Sequence, residues 1–147
     1  MIPDMLSEKI INYCKQQGWW FDEVTEPYLD VITELGVPAG SALAQFYLHA
    51  EDGPTFYSRK RELYHICWLS INSQYKLDLK RTHELLHISD DYLPLDSFES
   101  EGGFFYNRIT GEVLEISLGK QLHDFLLGEF TPQWKDFNAF LEWYFEI

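Results

Sequence analysis

Apolar and polar positions along the chain follow two periods. From Gly102 to Leu118 (GGFFYNRITGEVLEISL) the alternation has period two. Phe104, Tyr106 and Arg108 point one way, and Phe105, Asn107 and Ile109 the other. Beyond the break, Val113 and Glu115 alternate with Leu114, Ile116 and Leu118. Aromatic and β-branched residues at this spacing, interrupted by Thr110-Gly111, predict a β-hairpin. A lone hairpin is marginal in water, so further strands and a helical cover are expected around it. Elsewhere the period is helical. Tyr28, Val31, Ile32 and Leu35 fall at i, i+3, i+4 and i+7, which predicts a helix opening near Pro27 and stopping at Gly36. A first helix is predicted over residues 5–17, capped by Asp4, with Met5, Ile10, Tyr13 and Cys14 as its apolar face and Gly18 as its stop. Ser41 caps a third, short helix with Leu43, Phe46, Tyr47 and Leu48 inward.

The segments between are read from turn chemistry and shorter runs. Trp19-Trp20-Phe21 fits no single helical face and reads as a half-buried connector. Glu51-Asp52-Gly53-Pro54 is a turn, Thr55-Phe56-Tyr57 a short edge strand, and Arg59-Lys60-Arg61 a solvated basic loop. Leu63 to Leu69 is predicted as a strand with Tyr64, Ile66 and Trp68 on one face and His65 and Cys67 on the other. Residues 70–82 suit a loop with a short helix or strand, and Leu85 to Ser89 a strand. Asp90 to Glu101, which contains Pro94, reads as an acidic loop, and Gly102-Gly103 as a two-glycine turn. Leu122, Phe125 and Leu126 make one apolar helical turn closed by Gly128. Thr131-Pro132 opens a last helix on which Trp134, Phe137, Leu141, Tyr144 and Phe145 share a face. Phe140 and Trp143 lie off that stripe, which calls for a second buried side or a partner contact. Helices, then strands, then a helix predict an α+β fold: a mostly antiparallel β-sheet with N-terminal helices and a closing C-terminal helix, in a single domain over residues 1–147.

Composition fits a folded domain. The chain is 46% hydrophobic and 17% aromatic, enough to build a core and too apolar for a disordered segment. Cys14 and Cys67 stand in apolar surroundings without a CxxC or a cysteine framework, and are expected to be reduced, buried thiols of a cytosolic protein. The N-terminus lacks the basic and apolar regions of a signal peptide, and no apolar run reaches the ~20 residues of a membrane span. The formal charge is −13 and uneven: residues 1–83 hold 11 acids and 8 bases, and residues 84–147 hold 13 acids and 3 bases. Such a field repels nucleic-acid backbones and anionic membranes and attracts cationic partners.

One string carries a chemical motif. His83-Glu84-Leu85-Leu86-His87 matches H-E-x-x-H, which on a helix places two histidines on one face for zinc, with the glutamate as general base. The extended motif is absent, because Asp90 and Leu93 stand where further ligands would follow. If Leu85 to Ser89 is a strand, His83 and His87 lie about 13 Å apart and share no metal. No cofactor and no metal are therefore expected. His49, His65 and His123 have no matched partners and read as hydrogen-bonded structural residues. There is no G-x-S-x-G, P-loop or G-x-G-x-x-G, and Asp90-Asp91 reads as a solvated pair of acids.

Several blocks together resemble a known family. They are Leu35-Gly36-Val37-Pro38 with Phe46-Tyr47-Leu48 and Glu51-Asp52-Gly53; Leu86-His87-Ile88-Ser89-Asp90-Asp91; Gly103-Phe104-Phe105-Tyr106-Asn107 with Thr110-Gly111-Glu112-Val113; and Trp134-Lys135-Asp136-Phe137-Asn138-Ala139-Phe140-Leu141. From about Glu34 to the end the chain resembles the SUKH superfamily, which includes bacterial toxin-immunity proteins and yeast cell-wall-synthesis regulators. The Gly18-Trp19-Trp20 segment lies outside the resemblance. The resemblance implies an antiparallel sheet flanked by helices and no catalytic activity. For a bacterial member it implies a cytoplasmic antidote that binds one polymorphic toxin of the nuclease or deaminase class. The family offers no catalytic residues to carry over.

Joined to the charge, the resemblance predicts an acidic surface that covers the substrate groove of a basic toxin, with no direct contact to nucleic acid or membrane. The expected contact residues are Asp90, Asp91, Asp96, Glu99 and Glu101, with Tyr92 and Phe98 as aromatic anchors. Two other readings are a regulatory protein-binding scaffold without a toxin, and a small zinc hydrolase built on His83, Glu84 and His87.

Overall fold

The predicted hairpin is the centre of a three-stranded sheet. The computed structural model describes residues 5–97 and 102–147. In chain order the elements are α1 (Glu8–Gln17), α2 (Glu26–Glu34), α3 (Ala42–His49), β1 (Thr55–Ser58), β2 (Arg61–Tyr64), α4 (Ile66–Asn72), α5 (Tyr75–Leu86), β3 (Tyr92–Pro94), β4 (Gly102–Asn107), β5 (Val113–Ser117), α6 (Lys120–Leu126) and α7 (Phe137–Phe145). Strands β1 and β2 form one antiparallel pair, and β3-β4-β5 a second antiparallel sheet, so the fold is α+β. Among the described residues no helix is long and apolar enough to cross a membrane.

The hairpin register pairs Tyr106 with Val113 and Phe104 with Glu115. Its turn is built by Asn107, whose Oδ1 accepts from the Ile109 and Thr110 amides, and by Gly111, whose φ of 84° is the left-handed conformation that glycine adopts without strain. Alternation then sorts the side chains. Phe104, Tyr106 and Val113 enter the main core, together with Leu43, Phe46 and Tyr47 of α3 and Phe137, Phe140, Leu141 and Tyr144 of α7. Phe105, Leu114 and Ile116 enter a smaller core on the opposite face, closed by Ile88 and by Phe125 of α6. Both faces of the sheet are covered, so truncating a residue such as Phe104 to alanine would cost on the order of 3–5 kcal/mol.

The helical frame follows its cap residues. Ser7, not Asp4, caps α1; its side chain accepts from the Ile10 amide, and Gly18 ends the helix at φ 79°. Asp4 lies outside the described residues, and Met5 is exposed rather than part of the buried face. Pro27 stands in the first turn of α2, and the Ser41 side chain accepts from Ala44 at the start of α3. Asn138 of α7 joins the two ends of the chain, accepting from the Ser7 amide and donating to the Met5 carbonyl.

Several expectations are corrected. Leu63 to Leu69 is not one strand: β2 ends at Tyr64, and His65 caps a helix by accepting from the Trp68 amide at 3.1 Å. Ile66 and Cys67 are adjacent and both buried, which a strand with one covered face does not allow. Leu85 to Ser89 is not a strand either. Helix α5 runs to Leu86 and closes on His87 at φ 55°. The acidic loop begins as structure, since Tyr92–Pro94 pairs with Asn107–Phe105, and Pro94 is tolerated because β3 is an edge. Gly102 and Gly103 are buried strand residues and not a turn. Thr131-Pro132 does not open the last helix. Asp136 caps α7 through the Ala139 amide, and Trp134 bridges Val113 as extended backbone. Phe140 is fully buried, so α7 is covered on two sides. In the basic run, Arg59 and Lys60 form the β1–β2 turn with φ of 52° and 59°, while Arg61 turns inward.

Candidate protein-interaction surface

Among the described residues, the predicted contact residues Asp90, Asp91, Tyr92 and Asp96 differ in exposure and do not form one patch. Asp90 and Asp91 are exposed on the turn that follows α5. Asp90 reaches back to His83 Nδ1 at 3.1 Å, and the Asp91 carbonyl accepts from the Arg108 amide. Tyr92 is half-buried, with its ring edge-on to Phe125 at 5.1 Å between centroids, and so acts inside the smaller core more than as an anchor for a partner. Asp96 is 8% exposed. Its Oδ2 lies 3.0 Å from Arg61 Nη2, and its Oδ1 accepts from the Phe104 amide. Arg61 also pairs with Glu115, and its guanidinium lies 3.7 Å above the Phe104 ring centroid. Asp96 is thus a structural counter-ion that ties β2 to the β3–β4 sheet and is corrected out of the partner surface. Phe98, Glu99 and Glu101 lie outside the described residues.

The H-E-x-x-H string sits on the last turn of α5, which removes the extended geometry that would have separated its histidines. What the local structure does with them is different. His83 Nε2 is 2.7 Å from the Tyr92 carbonyl and its Nδ1 faces Asp90, so both ring nitrogens hold the α5–β3 turn. His87 is exposed at the left-handed helix end. Among the described residues no three His, Cys, Asp or Glu side chains gather as a metal-binding group.

The buried thiols, phenols and the His65 imidazole favour their neutral forms. Burial pushes the thiols of Cys14 and Cys67 up to about 12. Burial lowers His65 to about 4, with its Nε2 2.9 Å from the Ala50 carbonyl. Tyr47, Tyr75 and Tyr144 are all raised by desolvation. Tyr75 donates to the Pro94 carbonyl and Tyr144 to the Arg61 carbonyl, while among the described residues the Tyr47 hydroxyl has no hydrogen-bond partner. Desolvated thiols and phenols of this kind are packing groups, not activated nucleophiles.

Compared with family models, curated proteins and solved structures, the chain matches none.

A second surface was missed by the sequence reading. The connector after Gly18 is stitched to the end of α3: Phe21 N donates to the His49 carbonyl, Glu51 N donates to the Trp19 carbonyl, and Trp20 stacks on His49 at 4.8 Å. Tyr28 of α2 donates to the Glu51 carboxylate. These links frame an open groove of about 540 Å³ with Phe21, Pro27, Tyr28, Leu48 and Ile71 as its apolar lining and Glu23 and Glu51 as its carboxylates. The signal was present in the sequence: residues 16–58 hold seven acids and no lysine or arginine.

Proposed function

We propose that the chain is a non-enzymatic immunity-type protein that binds and neutralises a basic toxin of the nuclease or deaminase class in the cytoplasm. One observation supports this most. The acidic excess is carried at the surface and is not neutralised within the fold. Six of the eleven bases, namely Lys9, Arg59, Arg61, Lys76, Lys80 and Lys120, are paired with carboxylates among the described residues. Asp22, Glu23, Glu26, Asp30, Asp52 and Asp91 stay exposed. An uncompensated field of this kind accelerates encounter with a basic partner and selects against acidic ones. The resemblance to the SUKH superfamily points the same way, toward a domain whose work is binding.

The test is rescue. A cell expressing the product of the gene neighbouring this chain's own is expected to survive only when the chain is co-expressed, and the two proteins to co-purify as a complex. Survival without the chain, or rescue without complex formation, overturns the reading.

A further inference from the structure

We propose that the groove between the 19–25 connector, α2, and the ends of α3 and α4 docks a polypeptide segment of the partner, one that presents an apolar side chain flanked by lysine or arginine. The inference rests on the proposed class of partner, a basic protein, but on residues separate from Asp90 and Asp91.

Apolar exposure is the first reason. Phe21 is 53% exposed and Ile71 46%, and Val24 of the connector and Leu29 of α2 are also uncovered. At about 540 Å³ the groove lies within the ~300–1,000 Å³ of binding pockets. Its walls are fixed before any partner arrives by the Trp20–His49 stack, the backbone bonds of Trp19 and Phe21 to α3 and its cap, and the Tyr28–Glu51 hydrogen bond. A prearranged site loses less conformational freedom on binding.

Charge complementarity names the occupant. Glu23 and Glu51 line the groove, and Asp22, Glu26 and Asp52 adjoin them in the chain. Of the seven acids in residues 16–58, Glu34 is held by a lysine, Lys76, and that residue is not in the groove. A second copy of the chain would bring like charge to this rim, whereas a segment with flanking cations brings the opposite charge. The apolar residue would sit between Phe21 and Ile71, with the cations over the rim carboxylates. The Gly18–Phe21 segment thereby gains a role in placing Phe21 on the groove.

The test uses the full chain and an amphipathic leucine–lysine peptide, with the leucine–glutamate peptide as control. Amide shifts in an isotope-labelled sample are followed during titration. The leucine–lysine peptide is expected to move Phe21, Tyr28, His49 and Ile71, and the control peptide none of them. Ile71→Ser and Glu23→Lys are both surface changes, and each is expected to weaken binding roughly tenfold. Shifts centred elsewhere, or affinity indifferent to Ile71→Ser, overturn the groove. A dimer that Ile71→Ser dissociates would assign the groove to a second copy of the chain and also overturn it. The two readings fail separately. A toxin that binds wild type and both variants alike removes the groove and keeps the immunity reading, while peptide binding in the groove without toxin rescue does the reverse.

Discussion

Arg61 is clamped onto Asp96, with Nη2 3.0 Å from Oδ2, and the same guanidinium reaches Glu115 across the Phe104 ring. The pair reinforces the link between β2 and the chain after β3, where Tyr64 N also donates to the Leu95 carbonyl. Removing Arg61 leaves the Asp96 carboxylate nearly buried without that guanidinium, which is costlier than losing both. Arg61→Ala is expected to destabilise the fold by about 2–3 kcal/mol, less than for a fully buried pair because the arginine is partly exposed. Urea denaturation should show the loss, with Arg61→Ala/Asp96→Ala less unstable than the sum of the single changes.

His65 makes stability depend on pH. Its folded value, about 4, lies below its ordinary value of 6.5 because burial disfavours the cation, and Glu51 at 4.0 Å does not reverse this. The unfolded chain therefore binds the proton first as pH falls. The contribution is complete above pH 6.5 and is lost as pH drops through the folded value, roughly 3 kcal/mol in all. Thermal unfolding followed from pH 7 to 4 should show this decline. A variant with glutamine at the position, His65→Gln, should be less stable at pH 7 but flatter over that window.

Two buried tyrosines, Tyr47 and Tyr75, separate by their partners. Tyr47 has none for its hydroxyl among the described residues, so Tyr47→Phe should leave stability unchanged or raise it by about 1 kcal/mol. Tyr75→Phe gives up a 2.8 Å bond to the Pro94 carbonyl and should cost about 1–2 kcal/mol, because that carbonyl stays buried. Chemical denaturation of the two variants side by side checks the order.

Among the described residues, Asp90 and Asp91 are the exposed acids of the predicted contact set. Replacing both by lysine should slow toxin association and flatten its dependence on salt, while leaving dissociation nearly unchanged. Stopped-flow association at two ionic strengths measures both. Asp96→Asn belongs to a different class, expected to change stability and not the association rate.

The hairpin and α1 to α3 were legible because their signals are local: period two around Thr110-Gly111, helical spacing next to Gly18, Pro27, Gly36 and Ser41. Helices α4 and α5 were not. In α4 a histidine does the capping, a role its residue type does not announce. In α5 the apolar residues mislead, since Leu77 and Leu85 are 41% and 76% exposed while Tyr75 carries the burial. The contact set failed at Asp96 for a similar reason. Its counter-ion is 35 positions away, and nothing in the acidic run shows that one of its members turns inward. The groove could have been read in part, from the absence of any base between Lys15 and Arg59.

Titration calorimetry of the purified chain against the product of the gene neighbouring its own, at low and at high salt, tests the central claim most directly. The account predicts a one-to-one complex whose affinity falls as salt rises, because an acidic surface meets a basic one. No heat of binding at low salt, or an affinity that salt does not change, would contradict it.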